Sequence, residues 1–250
     1  MQTSLRLLAC SVLVALPGVA LGDIIGLAPG SYAYNQGDGG SPALVGPNSI
    51  QLTTGAGQNR SIWFNQPQTI SSFEAHFTYQ EWVFSSNPTG RTAGMAFVIS
   101  NSPLGTAALG SPTSRGLSGI TPCAAVVFNT IGRNSSVGFY RNGASGGSDT
   151  GTTPIDFSVR RDIDVSIHYD GSLLTVSMTD GDLTFGPQTY LVGSLANSLG
   201  SSTAYIGFTA GNGDLSAYQI LNDFSYTVPA PGALAAFGLL GLSATRRRRG

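Results

Sequence analysis

An all-β fold, an antiparallel sandwich of two sheets around one shared core, is what this 250-residue sequence predicts. Three observations carry that expectation. Apolar and polar residues alternate over short runs, the period-two pattern of half-buried strands. Gly supplies 34 residues, and Ser, Thr, Asn and Asp fill the stretches between runs, so turns recur at close spacing. Between residues 23 and 227 no long amphipathic helix is legible. Ten or so strands joined by polar loops, in one domain without an internal linker, follow from this.

Taken in order, residues 1–22 read MQTSLRLLACSVLVALPGVALG, one Arg ahead of an apolar core that ends in Ala20-Leu21-Gly22. This is the pattern of a secretory signal peptide, a short apolar helix that signal peptidase removes before Asp23. In SSFEAHFTYQ, Phe73, Ala75, Phe77 and Tyr79 alternate with Glu74, His76, Thr78 and Gln80, which predicts a half-buried strand. GMAFVIS (94–100) and AAVVFNT (124–130) are more continuously apolar and read as inner strands. Ile163, Val165, Ile167 and Tyr169 share one face, Asp170-Gly171 turns the chain, and Leu174, Val176 and Met178 return, predicting a hairpin. LVGSLANSLG (191–200) has room for one or two helical turns, and TAYIGFTAG and YQILNDFSYTV complete the strands.

Charge and residue supply exclude several function classes. All 12 basic residues are Arg, and residues 23–227 hold seven of them against thirteen acids, a balance of −6. An acidic, lysine-free body lacks the basic face that phosphate contacts require, so nucleic acid is not an expected partner. Once Cys10 leaves with the signal peptide, Cys123 stands alone and reads as a small buried hydrophobe. Catalysis is poorly supplied. The two glutamates, Glu74 and Glu81, lie an odd number of residues apart on one strand and therefore on opposite faces, not paired across a substrate. His76 and His168 belong to no metal-ligand spacing, and NGASGGSDTGT (142–152) reads as a flexible surface loop, not a phosphate cradle. Enzymatic function is not expected. Polar loops of Asn, Asp, Gly and Arg on a rigid sandwich suit the hydrogen bonding of sugar hydroxyls.

The ordered set SSFEAHFTYQ, TAGMAFVISNSP, AAVVFNT, SSVGFYRNG, DIDVSIHYDGSLLTVSM, AYIGFTAGNG and ILNDFSYTV resembles the legume-type (L-type) lectin domain, most closely its bacterial secreted branch. The resemblance spans nearly all of 23–227 and implies a concanavalin A-like, jelly-roll-like sandwich that binds carbohydrate through loops at one end. Many members hold Ca²⁺ and Mn²⁺ beneath that site. Where the family has a sugar-bonding Asp in Ala-Asp-Gly, this sequence reads Thr92-Ala93-Gly94. Where the metal strand has Glu-Phe-Asp, it reads Val127-Phe128-Asn129, leaving Asn129 and Asn134 as the only matched metal ligands and Ca²⁺ poorly supported. Carried over residue by residue, the carbohydrate-binding candidates are Asn134, with Arg133 beside it, Gly116 in LGSPTSRGLSG, and Asn212 and Asp214 in AGNGDLS.

The chain closes on VPAPGALAAFGLLGLSATRRRRG (228–250). Its apolar stretch, Gly232 to Ala244, spans only about 20 Å as a helix, short for a permanent membrane anchor. A Pro motif at Val228, Pro229 and Pro231, a short apolar helix, and Arg246, Arg247, Arg248 and Arg249 resemble the bacterial PEP-CTERM sorting signal. That resemblance implies transient anchoring in the inner membrane, basic end inward, then cleavage by an exosortase and release to the cell surface or matrix. Two readings remain: an exported protein that binds polysaccharide or another glycan, and a structural or adhesive surface protein that has lost sugar binding on the same fold.

Overall fold

The computed structural model describes residues 23–37, 43–83, 93–131, 134–145, 149–214 and 216–229. The expected signal peptide, Pro231, Arg246 to Arg249 and Arg133 lie outside the described residues. The chain runs through β1 (Ile24–Ile25), β2 (Tyr32–Gln36), β3 (Ala43–Gly46) and β4 (Ser49–Thr53). Next come β5 (Asn59–Phe64), β6 (Gln68–Thr69), β7 (Phe73–Val83) and β8 (Ala93–Ser100). After a loop follow β9 (Cys123–Ile131), β10 (Asn134–Arg141), β11 (Ala144–Ser145) and β12 (Thr150–Gly151). A meander of β13 (Ile163–Tyr169), β14 (Leu173–Asp180) and β15 (Leu183–Leu191) leads to α1 (Leu195–Leu199), β16 (Thr203–Asn212) and β17 (Ala217–Thr227).

These strands pair antiparallel into two sheets. One, of eight strands, has the order β15-β14-β13-β7-β17-β4-β3, with β1 added on β17. The other, of nine, has the order β11-β10-β9-β8-β16-β5-β2, with β12 on β10 and β6 on β16. The alternation read in β7 holds: Phe73, Ala75, Phe77 and Tyr79 point into the core while Glu74, His76 and Trp82 are exposed. Glu81 continues the inward row, so the two glutamates do lie on opposite faces. Between the sheets Phe77 meets Phe97, Phe128 and Phe208 at centroid distances of 5.0–6.5 Å, two of the three edge-on. Such pairs add about 0.5–1.5 kcal/mol each beyond the area they bury.

The apolar continuity of β8 and β9 has a plain cause. Phe97 and Phe128 face the intersheet core, while Ala96, Val98, Ala125 and Val127 face a second cluster with Leu117, Ile120 and Trp63. The loop between β8 and β9 covers the outer face of the nine-stranded sheet, and the Trp63 indole N–H donates to Ala108 O at 2.8 Å to hold it there. Cys123 is buried in this second cluster, and burial pushes its thiol pKa up to about 11.

The hairpin and the helix form where their sequences place them. Ile167 faces Val176 across β13 and β14, and the Asp170 carboxylate accepts from the backbone N–H groups of Ser172 and Leu173 at 2.9 and 2.8 Å. Those bonds hold its pKa below the usual range. Ser194 caps α1 by accepting from Asn197 N–H, Gly200 closes it at φ +74°, and Leu195 and Leu199 are buried. Two features differ from the expectation. β15 is an exposed edge strand, with Leu191 82% exposed, so no buried period marks it in the sequence. The stretch 142–152 is not simply a surface loop, because its ends form β11 and β12 on β10.

Candidate functional site

Register decides which residues meet. In the nine-stranded sheet Ala93 of β8 stands opposite Thr130 of β9 and Asn212 of β16, and Thr130 stands opposite Ser135 of β10. One step further out, Asn134 pairs with Ile131. Residues from three separate segments thus reach one end of one sheet, spread over about 14 Å at ordinary strand spacing.

Two glycines make the floor there. Gly94 and Gly211 are cross-strand partners. A Cβ on Gly211 would lie 2.4 Å from Pro112 O and 2.9 Å from Arg115 Cα; one on Gly94 would lie 2.3 Å from Phe128 O and 3.2 Å from Arg115 Cγ. Their bareness lets the Pro112–Gly116 segment rest on the sheet. Gly116, at φ +70°, is itself buried, its Cα facing the carbonyls of Ala210 and Arg60. Gly116, a carbohydrate-binding candidate in the sequence, thus bears on the protein's own backbone.

Beside this floor stands a polar cluster. Asn129 is fully buried and its side-chain N–H donates to Asp149 Oδ2 at 2.5 Å. The Tyr140 hydroxyl donates to the same carboxylate at 3.0 Å, and Arg115 lies over the Tyr140 ring at 5.8 Å. Gly138 gives Asp149 its room, since a Cβ there would sit 2.2 Å from Asp149 Oδ1. Burial raises the Tyr140 pKa, against the Arg115 charge and the Asn129 hydrogen bond, so the phenol stays a donor. Tyr190 is pushed up to about 12, by burial first and then by the Asp149 charge, and donates to Val137 O at 3.2 Å.

A Ca²⁺ or Mn²⁺ does not fit the described residues here. Val127 is apolar and buried, and Asn129 turns its amide nitrogen, not an oxygen, toward the one carboxylate nearby. Asn129 Oδ1 is buried without a hydrogen-bond partner among the described residues, but even with the two Asp149 carboxylate oxygens this falls short of the six to eight that Ca²⁺ takes. Among the described residues no three His, Cys, Asp or Glu side chains group as metal ligands.

The remaining candidates separate. Asn134 is exposed at the head of β10, and Asp214 is exposed beyond the end of β16. Asn212, offered as a carbohydrate-binding candidate, is instead fully buried, donating to Gly55 O at 3.0 Å and Ala217 O at 2.7 Å. An amide that ties two turns together is spent on holding them. Sequence reasoning missed Asp149, Tyr140 and Arg115. Asp149 lies in a Gly/Ser-rich stretch where nothing marks it, and only the fold brings it to Asn129.

Behind the site, Glu81 is fully buried between the sheets. Tyr79 and Thr130 hydroxyls donate to its Oε2 at 2.6 and 2.8 Å. Burial pushes its pKa up to about 7, with the Asp156 charge adding to the rise while the hydrogen bonds from Tyr79 and Thr130 pull against it. His76 and His168 lie exposed on the outer face of the other sheet, remote from this end in register.

Comparison with known proteins agrees with this geometry. The legume lectin domain matches residues 45–233. No curated protein sequence matches the chain. Similar solved structures include the Bauhinia forficata lectin in complex with GalNAc, 18% identical, covering 82% of this chain and 97% of that one at TM-score 0.63. Arcelin-5, a lectin-like defense protein from Phaseolus vulgaris, is 17% identical over 82% and 96% at TM-score 0.64. The metal-free form of lectin I-B4 from Griffonia simplicifolia is 17% identical over 79% and 94% at TM-score 0.60. At such identities the structures establish the shared concanavalin A-like sandwich, and the domain match over three quarters of the sequence establishes descent: this chain belongs to the legume lectin domain family.

Proposed function

We propose that this chain is an exported carbohydrate-binding protein without enzymatic activity, and that it binds glycan at the loop-bearing end of the nine-stranded sheet. The observation that carries the reading is that the exposed Asn134 and Asp214 stand at the same end of the nine-stranded sheet, where the segment bearing Arg115 packs on Gly94, Gly211 and the Tyr140 ring. An exposed amide and an exposed carboxylate over a rigid base suit the hydrogen bonding of sugar hydroxyls, and the family to which the chain belongs is one of lectins. Arg133 adjoins Asn134 in sequence and is proposed to share the contact.

The terminal segments give the proposed route. Residues 1–22 direct export and are removed by signal peptidase, 23–227 form the lectin domain, and 228–250 act as a PEP-CTERM-like address in a bacterial cell. The tail holds the protein transiently in the inner membrane until an exosortase cuts it, which leaves the domain at the surface or in the matrix. A structural or adhesive role is the second reading. The employment of Asn212 in packing and the replacement of the family's acidic ligands by Val127 and Asn129 favour it.

A glycan and polysaccharide array probed with the purified protein, once in Ca²⁺ and once in EDTA, tests both. Binding of equal strength in the two conditions is expected, because Asp149 and not a cation engages Asn129. Asn134→Ala is expected to weaken that binding about tenfold at unchanged thermal stability, since the side chain is exposed. Silence across the array in both conditions would favour the structural reading.

A further inference from the structure

On the outer face of the eight-stranded sheet, away from the site above, Trp82 is 42% exposed. Its cross-strand partner Tyr218 lies with ring centroids 5.6 Å apart at 32°, and the Arg160 guanidinium stands 5.7 Å from the indole. Two rings tilted this little form a nearly continuous aromatic surface, and the guanidinium restrains the indole's rotamer. The rings line one end of a depression of about 550 Å³, whose other walls include the amides of Gln51, Gln80 and Asn222.

The depression continues. Gln80 and Asn222 also line a second hollow of about 670 Å³, and Thr78, Asp164 and Asp223 are shared between that and a third of about 350 Å³ reaching His76. From Trp82 to His76 along β7 the trough runs six residues, roughly 20 Å. Its floor is a row of outward side chains in register: Tyr218 beside Trp82, Ile220 beside Gln80, Asn222 beside Thr78.

We propose that this trough is a second carbohydrate-binding surface, one that takes the interior of a neutral polysaccharide chain. A pyranose ring offers an apolar C–H face to the Trp82 and Tyr218 rings and equatorial hydroxyls to the amides around them. An open trough of this length accepts a chain lying along it, not only a chain end. Charge selects the class. Asp162, hydrogen-bonded to Gln80, and Asp164 and Asp223 outnumber Arg160, which repels an acidic polymer. The same aspartates argue against a second copy of this chain as occupant, since a two-fold interface on this face would set both sets against each other. The inference stands apart from the loop site and does not require it.

The chain has two tryptophans, and Trp63 is fully buried, so quencher-accessible fluorescence reports Trp82. Acrylamide quenching of the full protein is measured with hydroxyethylcellulose, mixed-linkage β-glucan, xyloglucan and galactomannan, and separately with free monosaccharides. At least one polysaccharide, and no monosaccharide, is expected to shield Trp82. In affinity gels containing that polymer, Trp82→Ala and Tyr218→Ala are expected to bind about tenfold more weakly, the scale of a lost ring contact. Asn134→Ala should leave the shielding of Trp82 intact, which separates failure of the loop site from failure here. Three results would overturn the proposal: no shielding by any of the four polymers, retardation of Trp82→Ala equal to that of the unaltered protein, or shielding that tracks self-association in sedimentation without sugar.

Discussion

Replacing Asp149 by alanine is expected to lower stability by about 2–3 kcal/mol and to weaken glycan binding at the loop end by about tenfold. The carboxylate accepts from the buried Asn129 amide and from the Tyr140 hydroxyl at once. Alanine orphans both donors where water has little access, and an unsatisfied buried donor costs far more than the net worth of the bond it loses. The binding loss has a separate cause. Arg115 stacks on Tyr140, and the segment bearing it lies on Gly94 and Gly211, so freeing Tyr140 returns motion to a loop that must be ordered when sugar binds. Denaturant midpoints at constant m, with binding measured on the same preparations, check both arms. Added Ca²⁺ should restore neither. An unchanged midpoint would show that Asp149 is not what secures Asn129.

Glu81→Gln is expected to make the protein more stable at pH 8 by an amount on the order of 3 kcal/mol and to change it little near pH 4.5. The sign follows from the direction of the shift. Burial raises the folded-state pKa to about 7 from the ordinary 4.5, so the folded protein holds a proton on Glu81 where the unfolded chain has lost it. Stability from this group is therefore full below pH 4.5, falls as pH rises toward 7, and stays lost above it. Glutamine keeps the shape and cannot ionise, so the fall should vanish from the variant. Denaturant unfolding of both proteins from pH 4.5 to 8 measures the difference and cancels the titrations they share. Parallel stability curves would mean that Glu81 does not titrate in the fold. Because Thr130 donates to Glu81 and shares a sheet row with Ala93 and Asn212, the same series followed by glycan binding reports whether ionisation of Glu81 reaches the site.

Much of the sandwich was legible because burial leaves a period. β7, β13 and β14 each bury alternate residues, and the alternation of their side chains is the alternation of the pleat. β5 left no such trace. All six of its residues are buried, including Asn59 and Arg60, because the covering loop closes over one face while the core fills the other. The candidate site was less legible than the fold. Of the residues the resemblance offered, Asn134 and Asp214 are exposed, whereas Asn212 and Gly116 bear on the protein's own backbone. Nothing local distinguishes an Asn left exposed from one that meets a carbonyl, since both are short amides at strand ends.

What the sequence determined by itself is the set of local preferences: which runs pleat, where Asp170 turns the hairpin, and how Ser194 and Gly200 bound α1. Those follow from periodicity, capping and composition, each confined to a few neighbouring positions. Only the tertiary structure decided that Asp149 meets Asn129 twenty residues away, that Glu81 is sealed between the sheets, and that Trp82 and Tyr218 lie side by side on an outer face. The reason is that cross-strand neighbours are set by sheet order and register, which depend on the whole set of strands packing around one core.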